Sequence, residues 1–319
     1  MDVRVADLTL DRGDRRVLDV DALDFPAGSV TAVFGPNGSG KTSLLRCVAG
    51  LERMRGSVTI GGQPVRRGDP RVALAFQESV FLHDTVRANL SLGLALRDIH
   101  RIEREGRIAQ MAEECGLAAV LDRPAASLSA GEAQRANLAR TLALAAPVTL
   151  LDEPLSGFDR IGRVRMLEEI PALLATHATT AIIVTHDREE AFRLADRLVL
   201  LVGGRVVAAG PAGPLYRSPP DADTARLLGY TVIRLGGRTI GFAPGTLRRG
   251  PGEPGFPVVV TREVDMGNHR HLIGRFGRGQ GAVTIELRLD PDEPGAVPGE
   301  ELLVHPTRWT EFGAGTGAS

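Results

Sequence analysis

The sequence predicts an α/β fold built on a parallel sheet, followed by a small all-β domain. Three observations carry that expectation. Between Ser29 and Val202, short apolar runs alternate with helically spaced stretches, as in strand–helix units of a parallel sheet. An octapeptide, Gly35-Pro36-Asn37-Gly38-Ser39-Gly40-Lys41-Thr42, stands between one such run and one such helix. After about Gly229, helical spacing stops and Gly- and Pro-rich turns separate alternating runs. The expected domains are therefore 1–228 and 229–319.

Residues 2–34 read as antiparallel strands, with Val3-Arg4-Val5 and Val17-Leu18 separated by a turn at Gly13-Asp14. After Pro26-Ala27-Gly28 they feed a buried strand over Ser29 to Phe34. A helix over Thr42 to Ala49 follows the octapeptide, then a strand over Ser57 to Ile60 with a turn at Gly61-Gly62. The apolar run from Arg71 to Phe76 ends in Gln77. From Val86 to Glu114 the spacing is helical, with few β-branched residues and no Pro, so a helical subdomain is expected over about 86–146. Ser129 opens its last helix, which runs to Ala145. Pro147 to Leu151 is a buried strand that delivers Asp152 and Glu153. A helix over 162–175 follows, then a strand over Ala181 to Val184 that ends in Thr185-His186-Asp187. A helix over 189–195, a strand over Arg197 to Val202 and a turn at Gly203-Gly204 lead into Arg205-Val206-Val207. In the second domain Val258-Val259-Val260 and Val283 to Leu287 alternate, and the tail from Gly313 to Ser319 is expected to fray.

Bulk properties narrow the function classes. The 319 residues carry a formal net charge of −1, without the global basic field of nucleic-acid binders. Cys47 and Cys115 are isolated, lack metal-ligand spacing, and read as reduced, buried thiols. The N-terminus lacks the apolar core of a signal peptide, and no run approaches the ~18 uncharged apolar residues of a membrane-spanning helix. If the protein works at a membrane, another chain does the spanning.

The octapeptide fits the phosphate-loop pattern G-x-x-x-x-G-K-[ST] at every fixed position, between a strand and a helix. Its glycines let backbone N–H groups curl around phosphate oxygens, and the helix N-terminus adds partial positive charge. Lys41 would reach the β- and γ-phosphates, with Ser43 in the same helical turn, and the Thr42 hydroxyl would ligate Mg²⁺. Lys41 is also the only lysine in the chain. A compact ammonium fits between phosphates where a planar guanidinium would not. Asp152, at the end of an apolar strand, is the expected second Mg²⁺ anchor. Glu153 beside it would polarise an attacking water. His186 ends another apolar strand and would hydrogen-bond the γ-phosphate. Gln77 ends a third and would contact Mg²⁺ or water. Polar residues at the carboxyl ends of parallel strands are where such sheets bind ligands.

The phosphate loop, Gln77, Leu128-Ser129-Ala130-Gly131-Glu132, Leu150 to Pro154, Ser156 to Asp159 and His186 together resemble the ATP-binding cassette (ABC) ATPases in order and spacing over residues 1 to about 228. The resemblance implies a phosphate-loop cassette with an antiparallel β subdomain and a helical subdomain. It also implies a head-to-tail homodimer that binds ATP and Mg²⁺, each ATP lying between one subunit's loop and the other's Ser129, Gly131 and Glu132. Asp159 would lie at the seam, Glu153 would act as general base, and His186 as the switch. Three positions depart from the family pattern. Ala130 replaces the usual Gly, Glu132 stands where Gln is commonest, and Arg12 occupies the place of the aromatic that stacks on adenine, where a guanidinium can also stack.

The segment Asp122 to Ser127 resembles that of prokaryotic importer ATPases, which serve membrane permease subunits and, through them, an extracytoplasmic solute-binding protein. This implies a place at the cytoplasmic face of the membrane. Residues 229 to 312, with Val264-Asp265-Met266-Gly267, resemble the small OB- or TOBE-type β domain of such importers. Gly131 to Arg135 and the stretch Gln77 to Thr85 are most similar to tungstate and molybdate importers; sulfate, polyamine, sugar and iron importers are the alternatives. Phe81, Leu82 and Val86 are candidate contacts for a permease helix, with ordinary core packing as the equal alternative. His269 and His271 share a strand face but lack a third ligand, and are read as ordinary strand histidines. Arg12, Arg15 and Arg16 read as a solvated hairpin face. A nucleotide-gated binding partner with weak hydrolysis is the second reading, favoured by Ala130 and Arg12 and opposed by Lys41, Glu153 and His186. A DNA-repair or translation cassette would need a coiled-coil insert or tandem cassettes, and neither is seen.

Overall fold

The computed structural model describes residues 1–82 and 84–313; the tail residues 314–319 lie outside them. The first strands are β1 (Val3–Arg12), β2 (Arg15–Phe25) and β3 (Val30–Phe34), followed by helix α1 (Lys41–Val48). Next come β4 (Arg55–Ile60), β5 (Gln63–Pro64) and β6 (Val72–Ala75). Helices α2 (Val86–Ala95), α3 (Arg101–Glu114) and α4 (Ala130–Leu142) lead to β7 (Val148–Asp152) and α5 (Arg160–His177). Then follow β8 (Thr180–Thr185), α6 (Arg188–Leu194), β9 (Arg197–Val202) and β10 (Arg205–Pro211).

Burial explains how these elements layer. Strand β1 alternates covered and open residues, so it has one buried face, and it joins an antiparallel sheet in the order β2-β1-β4-β5. Strands β7 and β8 are buried at every position, as strands covered on both faces must be. They belong to a six-stranded sheet, order β10-β9-β3-β8-β7-β6, in which only the β9–β10 pair is antiparallel. One core, with Val3, Phe25, Leu44, Val48 and Leu150, joins the inner faces of both sheets to α1. A second, with Leu90, Ile108, Leu138, Leu151 and Ile170, joins α2 to α5 to the parallel sheet. Cys47 and Cys115 sit in these cores, where burial pushes both thiols up to about 12.

Caps set the helix starts. The Thr85 hydroxyl accepts from Ala88 N–H, Asp159 accepts from Gly162 N–H, and Asp187 accepts from Glu190 N–H. Helix α4 stops at Leu142, three residues before the expected end, because Ala145 turns to a φ of 47° ahead of Pro147 and β7.

The chain forms two compact units, Met1–Gly213 and Pro214–Ser319. The division precedes the compositional change near Gly229. Two short helices that the sequence reading did not assign, α7 (Ala212–Arg217) and α8 (Ala222–Leu227), occupy the interval. Helix α8 packs on β11 (Thr231–Leu235) and β12 (Arg238–Phe242), and so belongs with the second unit. There the remaining strands are β13 (Leu247–Arg249), β14 (Phe256–Asp265), β15 (Arg270–Phe276), β16 (Val283–Leu289), β17 (Glu301–Pro306) and β18 (Thr310–Phe312). They form antiparallel sheets in the orders β11-β12-β18 and β13-β17-β14-β15-β16, around a core that includes Phe242, Phe256, Leu272 and Leu287.

Candidate active site

Parallel pairing of β3, β8, β7 and β6 aligns their carboxyl ends along one edge of the sheet. The residues that follow, Gly35, His186, Glu153 and Gln77, are thereby gathered from four segments of the chain. Gly35 must be glycine, because a Cβ there would lie 2.0 Å from the carbonyl oxygen of Leu201. Gly40, at φ 100°, precedes α1 and leaves the helix N-terminus without a side-chain cap. The first N–H groups of α1 are thus left for an anion.

Lys41 is buried, and its ammonium donates to the carbonyls of Gly35 at 2.8 Å and Pro36 at 3.1 Å. Burial lowers its pKa, while Glu153 and Asp152 work to keep the charge. Ser39 turns inward: its hydroxyl is buried without a partner among the described residues, and its N–H donates to the Pro36 carbonyl. Asn37 and Gly38 form the exposed lip, Pro36 is also exposed, and Ser43 is buried in the first turn of α1.

A cleft of about 700 Å³ opens above the loop. Its walls are the loop itself, Arg12 and Arg15 from the β1–β2 hairpin, and Gln77, Glu153 and His186 from the strand ends. That volume suits a small-molecule ligand. Arg12 pairs with Glu52 at 2.8 Å, and Arg16 turns aside to Asp11. All three arginines are exposed, as expected of a solvated hairpin face, and Arg12 and Arg15 also border the cleft.

The Thr42 hydroxyl donates to Asp152 Oδ1 at 3.0 Å. Asp152 is 3% exposed; burial raises its pKa and the Thr42 hydrogen bond opposes the rise. Two oxygen ligands adjacent on an octahedral Mg²⁺ lie about 3 Å apart, so this donor pair fits that ion. Glu153 is held in the left-handed region at φ 46°, an uncommon conformation for a side chain of its size. Its carboxylate accepts from Gln77 Nε2 at 3.1 Å, and its other oxygen lies 3.0 Å from His186 Nδ1. Three segments thus converge on one carboxylate.

Ser129, Gly131, Glu132 and Asp159 do not line this cleft. Ser129 and Glu132 close a capping box at the start of α4: Glu132 Oε2 accepts from Ser129 N–H and from the Ser129 hydroxyl, both at 2.8 Å. Those bonds hold the Glu132 pKa below its usual range. The Ala130 methyl is exposed. Asp159 caps α5.

Sequence reasoning missed the links between these parts. The Ser79 hydroxyl donates to Gln134 at 2.8 Å, Asn137 donates to the Phe76 carbonyl at 2.8 Å, and Arg140 donates to the Val80 carbonyl at 2.8 Å. These bonds fasten α4 to the segment after β6 on either side of Gln77. Arg163 on α5 pairs with Asp187 at 2.8 Å and Glu190 at 2.6 Å, which fastens α5 to the loop bearing His186.

Of the residues expected to meet a permease, Leu82 is 59% exposed, but Phe81 is half-buried under Arg140 and Val86 is wholly buried. Val86 opens α2 and faces the core, so core packing, the alternative reading, holds for it. In the second unit, Nε2 of His269 and Nε2 of His271 lie 2.9 Å apart; among the described residues no group of three metal-ligating side chains occurs. Among the described residues, no helix is long and apolar enough to cross a membrane.

The model of the family described as ABC transporter matches residues 18–156. The chain is 41% identical over 229 residues to the Fe(3+) ions import ATP-binding protein FbpC of Streptomyces avermitilis, covering 69% of this chain and 66% of that protein. It is 35% identical over 323 residues to the FbpC protein of Streptomyces coelicolor, covering 91% of each. The chain belongs to the ABC transporter ATPases. ATP with Mg²⁺ is the family's substrate and cofactor, and this member carries the ATP-binding, ATP-hydrolysing cassette. It is also 34% identical to the sn-glycerol-3-phosphate import ATP-binding protein UgpC 3 of Rhizobium etli, covering 83% of this chain and 84% of that protein. A structure titled as the ATP binding subunit of an ABC transporter superposes with a TM-score of 0.61 at 27% identity, over 68% of this chain and 92% of the other.

Proposed function

We propose that this ABC ATPase hydrolyses ATP in the cleft above Gly35–Thr42 to energise a membrane importer. The observation that carries the reading is the Glu153 carboxylate, clamped by Gln77 and His186 at the rim of a cleft floored by Lys41. ATP phosphates would take Lys41 from the Gly35 and Pro36 carbonyls and sit on the N-terminus of α1. Thr42 and Asp152 would hold Mg²⁺, with Gln77 at its edge. Bound Mg²⁺ supplies positive charge that screens the triphosphate. Glu153 would accept the proton of the attacking water, while His186 orients the carboxylate and meets the γ-phosphate. Arg12 and Arg15 would flank the base. Ser129, Gly131, Glu132 and Asp159 have no part in the cleft of one chain. In this reading they act on the ATP of a second copy, so the working form is a head-to-tail homodimer.

The Glu153→Gln protein should bind ATP yet release phosphate at least about 100-fold more slowly than wild type. Near-normal turnover would remove Glu153 from its role.

The relatives' names support import. The transmembrane partner would dock over exposed Val80 and Leu82, placing the chain at the cytoplasmic face of the membrane, with a solute-binding protein acting across it. Introducing a charge with Leu82→Glu should uncouple hydrolysis from transport in reconstituted vesicles. For the solute, the two FbpC relatives favour iron(III), with an organic phosphate second on the UgpC likeness. Tungstate or molybdate, suggested by Gly131–Arg135, finds no counterpart in those names. Uptake of labelled iron, glycerol 3-phosphate and molybdate by cells lacking this chain separates the three.

A further inference from the structure

Tyr216, Tyr230 and Trp309 are the only tyrosines and the only tryptophan in the chain. All three line one cavity of about 710 Å³ inside the second unit. They reach it from separate segments: α7, the residue before β11, and the turn before β18. The Tyr216 and Tyr230 rings meet edge-on at 5.5 Å, and the Tyr230 hydroxyl donates to the Tyr216 carbonyl at 2.6 Å. Arg238 covers one face of Trp309 at 5.9 Å, yet the indole remains 38% exposed. Aromatic residues with a polar handle are suited to surfaces that meet a ligand half apolar and half wet.

Charge in the cavity has one sign. Arg217 and Arg308 line it, no carboxylate does, and neither guanidinium has an ion-pair partner among the described residues. The hydroxyl protons of Thr246 and Thr307 are committed to the carbonyls of Ala243 and Thr246, at 2.7 and 3.0 Å. Toward the cavity these oxygens therefore offer lone pairs, which accept from ligand hydroxyl groups. Guanidiniums for an anionic head, aromatic edges for C–H surface and acceptors for O–H groups define one ligand chemistry.

We propose that this cavity binds a small hydroxylated organic anion of the sugar-phosphate or polyol-phosphate class, as a site separate from the nucleotide cleft. Its phosphate would lie on Arg217 and Arg308, its carbon skeleton against Tyr230 and Trp309, and its hydroxyls on the Thr oxygens.

Because Trp309 is the sole tryptophan, its emission reports on this cavity alone. The full chain would be titrated with glucose 6-phosphate and with sn-glycerol 3-phosphate, followed by fluorescence and by calorimetry. A saturable response to at least one, weakened about tenfold or more in Arg308→Ala and partly regained in Arg308→Lys, is the expected result. ATP hydrolysis by Arg308→Ala should remain that of wild type. Binding lost in Lys41→Ala but kept in Arg308→Ala would put the ligand in the nucleotide cleft and overturn the proposal. Equal binding of inorganic phosphate would overturn the role given to the aromatic wall. No response by either method would overturn the site itself.

Discussion

The phosphate loop and the N-terminus of α4 are both helix starts proposed to meet ATP phosphates, yet they are finished on opposite plans. At the loop, α1 begins without a side-chain cap, and the polar groups around it pair across the fold: Thr42 with Asp152, Glu153 with Gln77 and His186. At α4, Ser129 and Glu132 satisfy each other within a single turn. The first end has donors that a ligand can claim. The second is closed by its own carboxylate, which its hydrogen bonds keep ionised. The first end is a seat that keeps its N–H groups open to a ligand, whereas at the second the proposed contact with a partner's phosphate would compete with the Glu132 cap. The hydrogen bonds between α4 and Ser79, Phe76 and Val80 connect the two, so a nucleotide contact at Gln77, as proposed, would be linked to the helix through them.

Four changes would break or sharpen this contrast. The largest effect is expected at the seat. Asp152→Ala removes the partner of Thr42, and hydrolysis should fall about 100-fold or more, with Mg²⁺ dependence shifted to higher concentration in a phosphate-release assay. Asn137→Ala cuts the connection beside Gln77. It should cost roughly 1–3 kcal/mol of stability by leaving the Phe76 carbonyl unpartnered, and ATP should raise the melting temperature less than in wild type. An unchanged ATP-induced shift would show that this route is idle. Glu132→Gln keeps an acceptor for the cap but removes the charge. ATP-driven association should strengthen about two- to fivefold, as expected for one charge at a helix end, and weaker association would mean the carboxylate is needed.

The smallest effect on function is expected from Asp69, which lies away from both ends and ties β6 to the β4–β5 hairpin through Arg71. The Arg71 hydrogen bonds lower its pKa from 3.8 to about 2. Because the folded value is depressed, this stabilisation is complete above the ordinary value and is lost as pH falls from near 4 towards 2. Asp69→Asn should lose roughly 2 kcal/mol at neutral pH with catalysis intact. Denaturant midpoints of wild type and variant should then converge near pH 2.

The seat was legible in the sequence because its chemistry resides in side chains and glycines of fixed spacing, from Gly35 to Thr42 and at Asp152, Glu153 and His186. The connection was not. Asn137 and Arg140 bond backbone carbonyls, which every residue possesses, so no residue type marks their partners. Arg163 and Asp187 are 24 positions apart, and only the packing of α5 beside α6 brings them together. Val86 read equally as a surface contact or as core, because helical spacing alone does not say which face the core takes. Helices α7 and α8 are too short to show a period, and they blurred the boundary of the second unit.

In the proposed reading one chain holds half a site, completed by Ser129 and Gly131 of a second copy. Sedimentation of Glu153→Gln with ATP and Mg²⁺ tests it most directly, beside the double variant Glu153→Gln/Ser129→Arg. The account predicts that ATP converts the single variant to a dimer of the 33.9 kDa chain, while the double variant binds ATP and stays monomeric. A double variant that dimerises as readily as the single one would contradict it.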